Sequence, residues 1–504
     1  MKFNLALVLS AFALLVSAPT LAQLPPVPAP AENPITEQKR LLGKVLFWDE
    51  QLSSDNTIAC GSCHDPGHAG MDARIGINPG LDGLFETIDD VSGSPGVVSR
   101  DADGLLLDHP LFGRDAQVTG RAANPTINAA YAPELFWDGR AGSQFLNPED
   151  GTVSIPFGGA LENQAIGPIL SDVEMAQASR SWMDVTGKLL AATPLQFAGD
   201  LPADLSAALI SGASYPDLFA DAFGDGTITA ERIAFAIATY ERTLIADDTP
   251  WDRFVSGDTG ALTPTQAQGF NTIVITSCGN CHVPPTFTDQ TFRNIGVRPV
   301  AEDAGRFDVT GFQADRGRFK VPTLRNVGLK TTFMHDGSLT SLDEVVSFYA
   351  LGNQNSQDNI DPLMPVTVPP TQVAALVDFL QNGLTDARVA NETFPFDHPR
   401  LLEGRDPREM IEFDTRSLLS WPAPLGAISY NIYRGLLSSL SSGGYGDCVT
   451  GSDPDSTDTS YADASIPPPG DGFFYLKTVI DGGGESALGS ASDGSPRVPN
   501  TTCP

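Results

Sequence analysis

Basic residues are scarce in this sequence: 30 Lys and Arg stand against 62 Asp and Glu, which gives a formal net charge of −32. Charged residues make up only 18% of the 504 positions. Typical soluble domains contain roughly 25%, so the acidity reflects a shortage of Lys and Arg rather than an acidic tail. A nucleic-acid-binding surface needs clustered basic residues, and this composition excludes it. The same charge favours association with a basic partner, such as a small cationic protein.

Long hydrophobic runs are absent beyond the first 22 residues. The run at 5–16 is shorter than the ~20 residues that span a bilayer. It follows Lys2 and precedes small residues at Thr20 and Ala22, which is typical of a secretory signal peptide. We therefore expect cleavage after about residue 22, a Pro-rich leader at 23–35, and a periplasmic or secreted protein without a membrane span.

Cysteine and histidine are also rare, with six of each, yet they occur in a repeated pattern. Two cysteine pairs continue into a histidine: Cys60, Cys63 and His64 in the first, and Cys278, Cys281 and His282 in the second. Cys-x-x-Cys-His is the attachment pattern of c-type haem. A redox disulfide does not need the histidine, and a zinc site needs further ligands nearby. The repeat therefore predicts two covalently bound haem c groups, with each histidine as an iron ligand.

The pattern along the chain predicts mainly helical haem domains followed by a small all-β sandwich domain. We expect a first cytochrome c domain at 36–245, a second at 246–392, a linker at 393–413 and a β-domain at 414–504. Helical segments are predicted at 36–47, 172–192, 229–244 and 371–382, with another beginning at Thr263. Residues 75–120 are rich in Gly and Asp without a period, which indicates a long loop.

The last ninety residues carry short alternating strands, predicted at 428–433 and 473–479 between Gly, Ser, Pro and Asp turns. The Leu419-Ser420-Trp421 start and the segment around Tyr430 give this part a weak resemblance to a fibronectin type III-like module. Cys448 and Cys503 are the cysteines left after haem attachment. In an exported protein they are expected to form a disulfide.

Residues 36–392 carry several further sequence blocks besides the haem motifs. These are Phe136-Trp137-Asp138-Gly139-Arg140-Ala141, Gln164-Ala165-Ile166-Gly167-Pro168 with Glu174-Met175, Lys320-Val321-Pro322-Thr323-Leu324-Arg325-Asn326, and Phe333-Met334-His335-Asp336-Gly337-Ser338. By the order and separation of these blocks, the sequence resembles the bacterial di-haem cytochrome c peroxidase and MauG family. The resemblance implies two cytochrome c domains packed around two haems.

The resemblance also implies roles around the first haem, which would be the peroxidatic one with His64 as proximal ligand. Gln164 and Glu174 fall where the family has distal residues that handle peroxide protons. Trp137 matches a tryptophan that lies between the haems. Alternatives are that Glu174 is an ordinary exposed helix residue, that Gln164 caps a loop, and that Trp137 is a core aromatic.

The second haem would transfer electrons, with His282 as one axial ligand. The family's other axial position corresponds to Tyr349, where simpler peroxidases carry Met and MauG-like members carry Tyr. An anionic phenolate favours higher iron oxidation states, whereas a thioether raises the reduction potential. Met334 and Met364 are rival axial ligands.

The sequence departs from the family pattern in two places. One concerns the distal histidine of peroxidases that need reductive activation, and the other concerns calcium. No histidine follows His64 at the interval of the family's distal histidine. His68 is too close to the proximal ligand, which leaves His109 as the remaining candidate. The family's interdomain calcium uses an Asn side chain and backbone carbonyls, and here Asn124 is displaced by one position. We therefore expect calcium, with Asn124 as a ligand.

The sequence is compatible with four functions to different degrees. The first is a peroxidase that reduces hydrogen peroxide with electrons from a small cytochrome c or copper protein. The second is a MauG-like enzyme that stores two oxidising equivalents across both haems and oxidises an aromatic residue of a protein partner. A pure electron carrier would not need the peroxide-handling block at Gln164 and Glu174. A surface-binding module would need adhesive repeats, which the sequence does not contain.

Overall fold

The computed structural model confirms a mainly helical protein with a β-domain at its C-terminus. It describes residues 23–210, 212–351, 359–401, 412–415, 417–421, 428–442, 444–450, 457–469, 471–481, 484–486, 488 and 497–503. The predicted signal peptide at 1–22 and residues 402–411 of the predicted linker lie outside these residues. None of the helices in these ranges is long and apolar enough to cross a bilayer.

The helices form two groups, one around each haem motif. The first group is α1 Glu37–Phe47, α2 Cys60–Cys63, α3 Ala160–Ile166, α4 Trp182–Ala191, α5 Ala203–Leu209, α6 Tyr215–Phe223 and α7 Ala230–Glu241. The second group is α8 Pro250–Val255, α9 Pro264–Ile275, α10 Cys278–Cys281, α11 Phe307–Thr310, α12 Leu342–Leu351, α13 Val373–Asp378 and α14 Ala387–Ala390. The predicted boundary between the two domains at 245 and 246 falls between α7 and α8 and stays a prediction.

Each group is built on one pair of closely packed helices. Gly43 in α1 lies against α7, where an added Cβ would come within 1.9 Å of the Ala236 carbonyl oxygen. In the second group, Gly269 in α9 lies against α13, and an added Cβ would come within 2.1 Å of the Ala375 carbonyl oxygen. A side chain at either position would force the helices apart, so glycine permits both backbone contacts.

Helix starts agree with the sequence where a capping residue is present. Thr36 caps α1 by accepting the Lys39 N–H, and Thr229 caps α7 by accepting the Arg232 N–H. The prediction of one helix over 172–192 was wrong, because α4 begins only at Trp182. Ser181 and Asp184 form a capping box there, so the helix cannot extend backwards through Ser181.

The segment 75–120, predicted to be one long loop, contains two short antiparallel ribbons. The segment contains β1 Gly76–Asn78 paired antiparallel with β2 Val91–Gly93, and β3 Pro95–Val98 paired antiparallel with β4 Ala116–Val118. Valines of these short strands are buried, including Val97 and Val118. Two more ribbons follow, formed by β5 Phe145–Leu146 with β6 Val153–Ile155 and by β7 Phe292–Arg293 with β8 Phe319–Lys320.

The described residues of the C-terminal domain form two antiparallel sheets. Its strands are β9 Glu412–Thr415, β10 Leu418–Ser420, β11 Ser429–Leu436, β12 Asp447–Cys448, β13 Ser460–Ala462, β14 Phe473–Asp481 and β15 Gly484–Glu485. The sheet orders are β13-β10-β9 and β12-β11-β14-β15. Leu419 and Tyr461 from one sheet pack with Tyr430 and Ile432 from the other. The predicted strands are confirmed, and Cys448 and Cys503 form the predicted disulfide.

Candidate active site

The first haem motif lines a cavity of about 480 Å³. Cys60 and Cys63 lie on α2, a single turn that directs both thiols to the cavity, and His64 ends that turn. The His64 Nδ1 lies 3.0 Å from the Gly70 carbonyl oxygen, to which it can only donate. This hydrogen bond fixes the proton on Nδ1 and leaves the lone pair on Nε2, which is the tautomer of a histidine that ligates a metal through Nε2.

The second haem motif is arranged in the same way around a cavity of about 170 Å³. Cys278, Cys281 and His282 line it, and the His282 Nδ1 lies 3.1 Å from the Phe287 carbonyl oxygen. The four motif cysteines are all free. Two free thiols and one imidazole with an available Nε2, in a mainly apolar cavity, are the donor set that haem c requires, so both sites fit the group.

Glu174 and Gln164 both line the first cavity, together with His64. Glu174 is not on a helix, because it lies in a turn where the N–H groups of residues 174, 175 and 176 all point to the Ser171 carbonyl oxygen. Arg180 supports the turn by donating to the carbonyl oxygens of Ile169 and Met175, both at 3.1 Å. The alternative that Glu174 is an exposed helix residue is therefore wrong.

The environment of Glu174 affects its protonation. Burial raises the pKa of the carboxyl group, while a hydrogen bond from Ser171 and the charge of Arg140 act in the opposite direction. Both of these residues line the same cavity. A carboxyl group whose pKa is raised holds a proton more readily than an exposed glutamate does, which suits a group that accepts and returns protons.

Trp137 lines both cavities and is buried. Its Nε1 donates to the Ala122 carbonyl oxygen at 2.9 Å. Two backbone hydrogen bonds near Trp137 connect the first haem unit to the second, one donated from each side. The Lys320 N–H donates to the Trp137 carbonyl oxygen, and the Ala122 N–H donates to the His335 carbonyl oxygen. Trp137 therefore lies at the junction of the two haem units.

Three candidate axial ligands line the second cavity: Tyr349 from α12, Met334 and Met364. Burial raises the pKa of the Tyr349 phenol. The Tyr349 carbonyl oxygen also accepts the Val366 N–H at 2.9 Å, which joins α12 to the segment that carries Met364. The tyrosine and Met364 are thus parts of one wall of the cavity.

The histidines outside the haem motifs lie away from the first cavity. His68 Nδ1 contacts Asp65 Oδ2 at 2.9 Å, and neither His68 nor His109 lines either cavity. His109 Nδ1 accepts the N–H groups of Leu111 and Phe112 in its own loop. Asn124 lines the first cavity, where it neighbours His64.

Sequence reasoning missed a buried carboxyl group in the first cavity. Glu241, on the last turn of α7, is 1% exposed, and its Oε2 makes no hydrogen bond. The adjacent Arg242 does not neutralise it, because its guanidinium donates hydrogen bonds of 2.7 and 2.9 Å to Glu162. Burial raises the pKa of Glu241 to about 8. The available signal was its position, because helical spacing places Glu241 on the same side of α7 as the buried Ala234, Ile237 and Ala238.

It also missed an ionic cluster at the junction of the halves. Arg121 contacts Asp303 through two hydrogen bonds of 2.8 and 2.6 Å and contacts Asp138 at 2.6 Å. Arg121 and Asp138 lie before the predicted boundary between the haem units, and Asp303 lies after it. The cluster therefore connects the two units beside Trp137. Such a charged set is not visible in sequence, because its members are far apart in the chain.

Comparison with known proteins agrees with this architecture. A family model described as di-haem cytochrome c peroxidase matches residues 37–260. The MauG protein of Methylophilus methylotrophus is 31% identical over 64% of this chain and 75% of its own length. Cytochrome c peroxidase Ccp of Escherichia coli K12 is 28% identical over 69% of this chain, and the chain spans 61% of that protein.

Solved structures show the same fold. A MauG-like protein associated with microbial copper homeostasis superposes with a TM-score of 0.51 at 24% identity, covering 74% of this chain and 96% of that one. The β-domain lies beyond residues 37–260, the range that the family model matches. With two haem-attachment motifs and a matched peroxidase core, the chain belongs to the di-haem cytochrome c peroxidase and MauG family and is a peroxidase-type oxidoreductase that carries two haem c groups.

Proposed function

We propose that the chain reduces hydrogen peroxide in the first cavity and receives electrons through the second haem unit. The observation that carries this proposal is that Glu174, a carboxyl group with a raised pKa, lines the same cavity as His64. When bound, a haem ligated by His64 supplies the redox chemistry of O–O cleavage. The residues of the chain supply the protons, the orientation of peroxide and the exclusion of water.

Glu174 is the acid–base group in this proposal. Its carboxylate accepts the proton of the near peroxide oxygen and returns it to the leaving oxygen, which then departs as water. Gln164 has an amide that donates and accepts hydrogen bonds, and it orients the peroxide. Ser171 holds the carboxyl group by a hydrogen bond. The apolar walls of the cavity exclude water, which strengthens these interactions.

Trp137 and Tyr349 are assigned to the path between the haems. Trp137 lines both cavities, which supports a role in carrying oxidising equivalents between them. His282 and Tyr349 are proposed as the axial pair of the second haem, with Met334 and Met364 as the alternatives. All three candidates line that cavity.

The electron donor in this proposal is a small basic protein, either a cytochrome c or a copper protein. The net charge of −32 supports it, because opposite charges accelerate association. Turnover with a basic cytochrome c should fall as ionic strength rises, because salt screens this attraction. Turnover with an acidic copper protein should not fall.

A second candidate function is supported by Tyr349 in the second cavity. In a MauG-like reaction, the enzyme would oxidise an aromatic residue of a protein partner instead of drawing electrons from a small donor. Calcium bound by Asn124 with backbone carbonyls, and a periplasmic location after cleavage of residues 1–22, are further parts of the proposal.

The test is the reaction of a Glu174→Gln variant with peroxide, followed by stopped-flow absorbance. We expect the reaction to slow by ~10²-fold or more, in line with lost acid–base catalysis. Haem content should stay at two per chain. Glu32→Gln, which changes an exposed carboxylate, serves as the matched control. A Glu174→Gln variant that reacts at the parent rate would show that the carboxyl group has no such role.

A further inference from the structure

Three side chains that do not line either haem cavity meet beside the loop that follows His64. They are Asp65, Glu392 and His398, here called the Asp65 cluster. One oxygen from each carboxyl group and one imidazole nitrogen all lie within 4.8 Å of one another. Asp65 comes from the first haem unit, whereas the other two residues come from the segment after α14. The cluster therefore joins two distant parts of the chain.

The His398 ring is oriented as a metal ligand would be. Its Nδ1 lies 2.9 Å from the Pro399 carbonyl oxygen and must donate to it, which leaves Nε2 for another partner. The ring also stacks on Trp48, with centroids 4.1 Å apart and planes at 7°. A histidine that donates one N–H to a carbonyl and offers its other nitrogen is the usual arrangement at metal sites.

The Nε2 atom of His398 is buried and makes no hydrogen bond. It lies 3.4 Å from Glu392 Oε1. A nitrogen lone pair that faces carboxylate oxygens is repelled by them unless a cation lies between or the nitrogen carries a proton. The cluster thus holds one nitrogen and two carboxylate donors with no positive charge among them when the histidine is neutral.

Asp65 is held in place by its own hydrogen bonds. Its Oδ1 accepts the Gly67 N–H at 2.9 Å, and its Oδ2 contacts the His68 Nδ1 at 2.9 Å. Gly67 also leaves room for the glutamate, because an added Cβ would lie 2.5 Å from Glu392 Oε1. Such outer hydrogen bonds orient carboxylate ligands at metal centres.

We propose that the Asp65 cluster binds one divalent transition-metal ion, with zinc as the preferred occupant. One imidazole nitrogen and two carboxylate oxygens match the mixed donors that zinc accepts. Calcium, by contrast, takes six to eight oxygen ligands. Glu392 is 42% exposed, so water completes the coordination. The ion would tie the segment after α14 to the loop that follows His64, at a place distinct from both haems.

The experiment uses the full-length holoprotein after treatment with a chelator. Zinc is added, and bound zinc is measured by equilibrium dialysis and elemental analysis. We expect one zinc ion per chain at saturation, and at least ~10-fold weaker binding in both Glu392→Gln and His398→Gln. The matched control is Glu32→Gln, which should bind zinc as the parent does.

Two further measurements separate the metal site from a simple ion pair between His398 and Glu392. X-ray absorption spectroscopy at the zinc edge should show nitrogen and oxygen ligands and no sulfur ligand. Zinc should also raise the thermal midpoint of the parent but not of Glu392→Gln, because a ligand stabilises only the state that binds it. If all four proteins bind zinc equally, or the parent does not bind it saturably, the cluster is an ion pair and the proposal is wrong.

Discussion

The indole of Trp137 and the imidazole of His335 meet edge to face, with ring centroids 6.3 Å apart and planes at 66°. Both side chains line the second cavity, and Trp137 lines the first as well. His335 in turn stacks on Phe319, with centroids 3.6 Å apart. An aromatic path thus begins at the first cavity and runs along the wall of the second.

A Trp137→Phe variant tests this path. The substitution keeps an aromatic ring but removes the indole and its hydrogen bond to Ala122. We expect both haems to bind normally and the second haem to respond more slowly after peroxide reaches the first. Rapid-mixing absorbance at wavelengths specific to each haem measures the delay. Trp182→Phe, in α4 and outside both cavity linings, is the control. An unchanged delay in Trp137→Phe would remove the indole from the path.

Tyr349→Phe tests the axial ligand of the second haem. Because the phenol oxygen is the proposed ligand, its removal should change the low-spin signal of one haem and leave the other unchanged. Electron paramagnetic resonance of the resting diferric protein detects this change. Tyr131→Phe, whose hydroxyl only donates to the Pro25 carbonyl oxygen, should leave both signals unaltered. If Met364→Leu or Met334→Leu changes the signal instead, the ligand is that methionine.

Glu241 should make the stability of the protein depend on pH. Its folded-state pKa is raised to about 8 by burial, whereas the carboxyl group ordinarily titrates near 4.5. Between these values the folded state binds more protons than the unfolded state, so the free energy of unfolding falls as pH rises. One such group accounts for at most ~1.4 kcal/mol per pH unit.

Urea denaturation at pH 5, 6, 7 and 8 measures this effect. In Glu241→Gln the fall between pH 5 and 8 should become shallower, because the neutral amide has no proton to lose. Glu231→Gln, on the same helix but partly exposed, is the control and should keep the slope of the parent. A parent protein whose stability is level over this range contradicts the prediction.

The disulfide should stabilise only the β-domain. Replacing Cys448 and Cys503 by Ser is expected to lower the free energy of unfolding of that domain by about 2–4 kcal/mol. The haem units should unfold at the parent urea concentration, because they share neither cysteine. Tryptophan fluorescence and haem absorbance, followed together, report the two transitions. A shift of the haem transition would show that the domains unfold as one unit.

Local sequence determined the features that depend on near neighbours. Haem attachment needs two thiols and an imidazole on one turn, so the motifs at Cys60 and Cys278 were sufficient to predict it. The threonine caps at Thr36, Thr229 and Thr263 predicted helix starts within one residue, because a cap acts on backbone groups two or three positions away. The alternation of residues in β11 and β14 likewise predicted the β-domain.

Other features were decided only by the tertiary structure. Trp137 and His335 are almost two hundred residues apart, and their contact depends on how the two units pack. Glu174 lies in a turn that Arg180 stabilises, and this turn places its side chain at the cavity. The sequence had indicated a helix at this position. Glu241 lies on a helix with the usual pattern of apolar residues. Its Oε2 is buried without a hydrogen bond because the side chain forms part of the cavity wall. Burial and proximity depend on contacts between distant segments, which local periodicity and capping do not determine.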